Sequence, residues 1–416
     1  MKKHGLWIVL LVLVLLATGC QTETVQPQGS SPNSLVVPNA TRPEDIEPTV
    51  EYGWTDGESP VPELRIGYVR AGLNYVDHAV SPTGIYFIQK KSDFSSDSYI
   101  IYADNGSDTF IKLCGRPDCS HAGPDCNAYV YEGSNLCYQN GYLYVVSGGD
   151  QLGENSCRLI RMDPDGTNRV TMLDMTAYVK ERGADSAECD IISDGMCLFS
   201  GYKWETTPGD EPGSFGTVPK HTGYYCYKLD GSMDKPEDGH PGGLACYNCG
   251  EVFLSYLPVS VNGGEYGSYY EWDTETNTYT FLTDHPGQPG WFGREQGFYY
   301  KDGAICRLTY ATQTEEIMVK TGLEGDYYAS FLPDCIVVGA YDKSIADSNL
   351  YIYDWSFNLL ETVEITRGTS RLINTVIAET AERLILTSGD AGIPTYYINK
   401  ADFGTGSVKI HEFNFA

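Results

Sequence analysis

The chain has 416 residues, 41% hydrophobic and 20% charged, enough for a substantial core and unlike either a disordered protein or a charge-rich coiled coil. Its 28 bases face 56 acids, a formal net charge of −28, which excludes a nucleic-acid binder working by phosphate neutralisation. Gly (45), Pro (21) and an aromatic share of 12%, with 32 Tyr, favour strands and turns over long helices, and 13 Cys are too few for a small disulfide-stapled scaffold.

The first element is an export signal, residues 1–19. Lys2, Lys3 and His4 form a basic start, and Leu6 to Leu16 is an apolar run. That run is too short for a bilayer span, which needs about 20 residues. Small residues, Ala17-Thr18-Gly19, then lead into Cys20, as at a cleavage site. This order resembles the lipobox of bacterial lipoproteins, with Ala17 where that family more often has Leu. The resemblance implies that Cys20 is lipidated and becomes the mature N-terminus. A plain secretory signal with an unrelated Cys is the alternative. The expected address is the extracytoplasmic face of a membrane, cell surface or periplasm, with the membrane as one partner through the lipid. Loss of Lys2 and Lys3 leaves 56 acids against 26 bases, a net charge of −30.

Residues 20–62 follow as a lipidated Cys and a Pro-rich linker. Between residues 21 and 60 there are six Pro, no Lys and one Arg, Arg42. Such a stretch cannot bury enough apolar surface to offset its ordering entropy, so a disordered tether is expected, reaching about 35 Å root-mean-square.

Residues 63–416 repeat a pattern. A turn residue precedes a short apolar strand at Gly84, Gly141, Gly195, Gly250, Gly297, Asp334 and Glu382, at intervals of 37 to 57 residues. Each opening is followed by an alternating hairpin: 98–113, 157–173, 223–235, 268–283, 303–320, 349–365 and 395–413. Units of about 50 residues with four short strands fit propeller blades. The expected fold is all-β, a single β-propeller of seven blades of four antiparallel strands after the disordered tether. Six or eight blades, or two β-sandwiches, are the alternatives. Glu63–Arg70 is expected to lend a strand to the last blade, and only residues 174–188 carry a helical turn or two. Tyr doublets such as Tyr224-Tyr225 and Tyr299-Tyr300 are expected to pack two neighbouring sheets, since adjacent strand residues face opposite ways.

The segment from Cys157 to Arg169, with its Asp163-Pro-Asp-Gly-Thr-Asn168 turn, resembles the strand–turn–strand of TolB-like propeller repeats. It also resembles repeats of uncharacterised bacterial propeller lipoproteins. The likeness covers one hairpin of seven. That family implies no catalytic residues to carry over.

One segment concentrates metal-ligand chemistry. Cys114, Cys119, His121 and Cys126 are spaced C-x4-C-x-H-x4-C among Gly and Pro residues. Three thiolates and an imidazole make a closed tetrahedral set, which is structural and not catalytic zinc. The rival reading is a disulfide-stapled loop whose leftover Cys pairs elsewhere, as with Cys137. A segment ending in Cys126-Asn127-Ala128 also resembles a recurring feature of those lipoproteins. Cys246 and Cys249 form a lone C-x-x-C in a strand-and-turn setting, read as a small structural disulfide or two free thiols. Cys197, Cys226, Cys306 and Cys335 sit in apolar strands and read as core. Asp163, Asp165 and Asn168 lack the further oxygens and the Glu of a calcium loop, so they read as a turn.

No nucleophile elbow, zincin helix or phosphate loop is present, so no catalytic residue is assigned and an enzyme is the weaker reading. The leading expectation is a lipid-anchored binding or scaffolding module for a protein or glycan. Trp204, Trp291 and Trp355 are candidates for its aromatic platform. The alternatives are an extracellular hydrolase or lyase with acids at an axial channel, and a structural envelope assembly factor.

Overall fold

The computed structural model describes residues 77–92, 95–148, 156–193, 195–208, 215–232, 245–249, 252–261, 264–273, 278–286, 291–293, 295–324, 327–340, 349–364, 373–388 and 394–416. Cys20, the export signal, the linker and Glu63–Arg70 lie outside them.

The chain is nearly all strand. The first sheet holds β1 (His78–Ser81), β2 (Gly84–Lys90), β3 (Asp97–Asp104) and β4 (Thr109–Lys112), with β5 (Tyr129–Tyr131) also on β3. The second holds β6 (Gly133–Gln139), β7 (Tyr142–Ser147), β8 (Arg158–Met162) and β9 (Val170–Asp174). The third holds β10 (Ser186–Ser193), β11 (Met196–Pro208) and β12 (Phe215–Lys228). The fourth holds β13 (Ala245–Cys249), β14 (Val252–Val261), β15 (Gly264–Asp273) and β16 (Thr278–Pro286). The fifth holds β17 (Trp291–Phe292), β18 (Gln296–Lys301), β19 (Ala304–Thr309) and β20 (Thr314–Lys320). The sixth holds β21 (Tyr327–Phe331), β22 (Ile336–Ala340), β23 (Leu350–Tyr353) and β24 (Leu359–Val363). The seventh holds β25 (Ile373–Glu379), β26 (Arg383–Ser388), β27 (Pro394–Asn399) and β28 (Ile410–Glu412). These seven sheets, counted among the described residues, are antiparallel meanders of consecutive chain.

The apolar clusters show how the sheets follow one another. One joins Tyr86 and Ile100 of the first sheet to Leu143 and Val145 of the second. The next joins Tyr144 and Leu159 to Cys197 and Phe199 of the third. Phe298 and Ile305 of the fifth pack on Ile336 and Val338 of the sixth, and Val337 and Ile352 of the sixth on Leu384 and Ile398 of the seventh. Ile385 and Tyr397 of the seventh then pack on Phe87 and Phe110 of the first. A stack whose last sheet packs on its first is a closed ring, the β-propeller expected from the repeat. The openings read from the sequence are the second strands. They lie between two neighbours and are buried on both faces, as β2 is from Gly84 to Ile88. Outer strands such as β20 are mostly exposed.

The hairpin expected at 223–235 differs: β12 already begins at Phe215 and pairs with β11 through Lys228. The expected helical turns are α1 (Met175–Lys180), between β9 and β10 in the chain, where the Asp174 carboxylate accepts the Ala177 N–H at 2.8 Å as N-cap. At the Tyr224-Tyr225 doublet both rings are buried: Tyr225 joins the cluster between the second and third sheets, and Tyr224 packs on His221 of its own strand.

The C-terminus ties the seventh sheet to the first. β29 (Asn414–Phe415) runs parallel to β4, with Asn414 opposite Thr109 and Phe415 opposite Phe110. Phe413 is buried against Phe110 and Tyr397, so a side chain just before the strap seals the seam it crosses.

Candidate metal centre

The fourth strand of the first blade is interrupted. Lys112 of β4 pairs with Ile101 and Tyr129 of β5 pairs with Tyr99. Between them, the Leu113 N–H donates to the Ile100 carbonyl at 2.9 Å, and the Ile100 N–H donates to the Ala128 carbonyl at 2.7 Å. Residues 114–127 therefore leave and rejoin one strand at a single partner residue. Cys114 and Cys126 stand at the two sides of that neck.

The loop is folded upon itself. The Cys119 N–H donates to the Arg116 carbonyl and the Cys126 N–H to the Gly123 carbonyl. The Arg116 guanidinium caps the Asp125 carbonyl at 2.7 Å, and the Lys112 ammonium, over the Tyr99 ring, donates to the His121 carbonyl at 3.0 Å. His121 adopts a left-handed φ of 53°, which turns the chain between Cys119 and Cys126.

All four expected ligands converge, each offering one atom within 4.8 Å of the others. Cys126 Sγ and His121 Nδ1 are 3.6 Å apart. Zinc bonds of 2.0–2.3 Å set tetrahedral ligand atoms about 3.5–3.8 Å apart, so contraction onto an ion needs only small side-chain motions. Each sulfur also accepts a main-chain N–H from two residues onward: Arg116 to Cys114, His121 to Cys119 and Ala128 to Cys126. Donors aimed at sulfur favour the thiolate, the form that binds metal. Burial alone would raise the Cys114 thiol, but the N–H groups of Arg116 and Asn127 and the neighbouring thiols outweigh it and hold it below its ordinary range. Burial dominates at Cys126 and pushes that thiol up to about 11. The donor set fits a structural divalent ion of zinc type.

Cys137, the alternative bridge partner, belongs with the cluster between the second and third blades, whereas Cys114 and Cys119 pack against the cluster between the first and second. Cys246 and Cys249 both lie on β13. Cys197, Cys226, Cys306 and Cys335 are buried, as expected. The aromatic platform is corrected: Trp291 and Trp355 are core residues between the fifth and sixth blades, and only Trp204 is exposed, at 51%. Asp163, Asp165 and Asn168 form the β8–β9 turn through mutual hydrogen bonds, with the Asn168 amide on Asp163 and the Thr167 hydroxyl on Asp165.

That turn contributes a residue the sequence did not single out. Gly166, at φ +81°, lies so close to the metal loop that a Cβ there would meet the Leu113 carbonyl at 2.9 Å and the Asn127 carbonyl at 3.0 Å. The close approach lets Arg169 donate to the carbonyls of Gly166, Asn127 and Tyr129. No local motif announces a contact between residues forty positions apart. The one available signal was that the Arg closes the same turn the propeller resemblance rested on.

No protein-family model and no curated protein matches the chain. Among solved structures it is similar to the acylaminoacyl peptidase of Pyrococcus horikoshii, at 13% identity over 83% of this chain and TM-score 0.49. It spans about half of that protein, 52%. It is also similar to the β-propeller domain of the Trilobed protease from Pyrococcus furiosus, at 11% identity, 82% and 98% coverage and TM-score 0.46. A third is TolB from Acinetobacter baumannii, at 12% identity, 79% and 80% coverage and TM-score 0.30. The propeller assignment itself rests on the ring of packed sheets.

Proposed function

We propose that this chain is a lipid-anchored, extracytoplasmic propeller that serves as a binding or scaffolding module for a protein or glycan, with a structural zinc ion on Cys114, Cys119, His121 and Cys126. The observation that carries the reading is the closed Cys3His set at the neck of an exposed loop. Four protein ligands leave no coordination position for a reacting water, so the ion would stiffen a surface feature and not perform chemistry. A second feature supports binding: β11 and β12 pair on past β10 as a ribbon, with Trp204 opposite Pro219 and both exposed. The signal-like order ending in Cys20 supports the anchor.

Metal analysis of the purified chain should find about one zinc per molecule, lost on Cys114→Ser or Cys126→Ser. A zinc-free protein with a mapped bridge between two of these cysteines would overturn the metal part. Crosslinking capture from intact cells, comparing the whole protein with one lacking residues 114–127, should recover a specific partner. Recovery of none with either form would overturn the binding part.

A further inference from the structure

Arg169 brings a positive charge to the seam between the first and second blades, and its surroundings lack the usual counterpart. Arg158 is paired with Asp174, Arg307 with Glu316 and Arg116 with Asp118. Among the described residues the Arg169 guanidinium instead donates only to main-chain carbonyls, those of Gly166, Asn127 and Tyr129. These are dipoles and do not neutralise a charge. Among the described residues no carboxylate forms an ion pair with it, and the groups whose negative forms would favour its charge are the thiols of Cys126 and Cys114. Burial lowers its pKa to about 10, the direction expected of a cation short of a counter-ion.

The arithmetic of the metal set supplies the missing charge. Three thiolates and a neutral imidazole around a divalent cation carry one net negative charge, because each thiol gives up its proton on binding. We infer that Arg169 is the counter-ion of the metal centre, a positioning residue whose fixed charge balances the metal–thiolate set and couples metal occupancy to the docking of the second blade on the first. The inference rests on the zinc reading above. Two properties follow. The charge at Arg169 sets metal affinity without touching the ion. The planar fork, which reaches the carbonyls of Asn127 and Tyr129 together, sets how firmly the β8–β9 turn holds the loop.

The test uses the full chain with Arg169→Met and Arg169→Lys. Zinc affinity is read by competition with a chromophoric chelator, and cobalt(II) absorption reports the ligand set independently. Outer-sphere partners of metal ligands contribute about 10–100-fold in affinity. R169M should lose zinc affinity within that range while its cobalt spectrum keeps the three-thiolate pattern. R169K, which keeps the charge, should stay within about threefold of wild type. Wild-type zinc affinity in a folded R169M overturns the inference. Should R169M not fold, R169K decides: a loss of tenfold or more there means the carbonyl contacts, and not the charge, matter. If the wild-type chain binds neither zinc nor cobalt, the metal reading fails, a result distinct from an Arg169 variant that binds normally.

Discussion

Two buried carboxyl groups set an unusual pH response. Asp190 is the extra residue of a bulge in β10, between Cys189, paired with Phe199, and Ile191, paired with Leu198. Its Oδ2 is buried without a hydrogen bond among the described residues, and burial raises its pKa to about 7 against the pull of Ser200. Glu379 is raised to about 7 by burial as well, although the Lys400 ammonium lies 2.9 Å away. A carboxyl whose folded pKa exceeds its unfolded one keeps a proton that the unfolded chain releases. The unfolded chain then binds fewer protons between about pH 4 and 7, so stability falls as pH rises through that window and levels off above it. Asp190→Asn removes the effect at one site. In urea titrations it should stabilise the protein by about 2 kcal/mol more at pH 8 than at pH 5, one pKa unit being worth about 1.4 kcal/mol. Equal effects at both pH values would show that the carboxyl is not held protonated. At the same scale, Gly166→Ala forces a Cβ into the Leu113 and Asn127 carbonyls at a positive φ, and should cost more than about 1 kcal/mol in the same titrations.

Among the elements, the C-terminal strap does more than its length implies. β29 has two residues, yet the Asn414 N–H bonds the Asp108 carbonyl and the Ala416 N–H bonds the Phe110 carbonyl, each donor reaching across the seam from the seventh blade. Phe413, 4% exposed, fills the space between Phe110 and Tyr397. Phe413→Ala should therefore cost about 3–5 kcal/mol, the range for emptying a buried aromatic site, seen as a lower urea midpoint with an unchanged slope. A loss below 1 kcal/mol would mean that the ring closes without it. Nothing in the sequence marked this strap, since two residues carry no periodicity. The second strands were legible because burial on both faces demands runs such as Gly-Ile-Tyr-Phe-Ile. The innermost strands were not: β1 reads His-Ala-Val-Ser and β10 Ser-Ala-Glu-Cys-Asp, mixed sequences whose pairing partners decide their state. The four metal-loop residues were legible from spacing alone, because their ligand types are rare and local. Arg169 was not, because its role depends on which hairpin a neighbouring blade presents.

For the whole molecule, sheets packed in cyclic order make the first, second, sixth and seventh blades each depend on two neighbours. An open array can fray from its ends, whereas a closed one loses a contact on both sides when any blade opens. Unfolding in urea should then give coincident transitions by far-ultraviolet circular dichroism and by tyrosine and tryptophan fluorescence. Truncation after His411 should separate the two curves by freeing the seventh blade. Coincident curves in the truncated chain would assign the cooperativity to packing alone.

The neck at Ile100 makes the stretch from Cys114 to Asn127 a cassette. Leu113 and Ala128 already meet the same neighbour, so the fourth strand is continuous in space across the insertion. The number of residues between the two sides of the neck can therefore change without shifting the register of β3 with β4 or β5. A ring of packed sheets thus carries a port on its first blade where new surface can be exchanged, and an ion at its mouth would keep such an insert from unravelling into the blade.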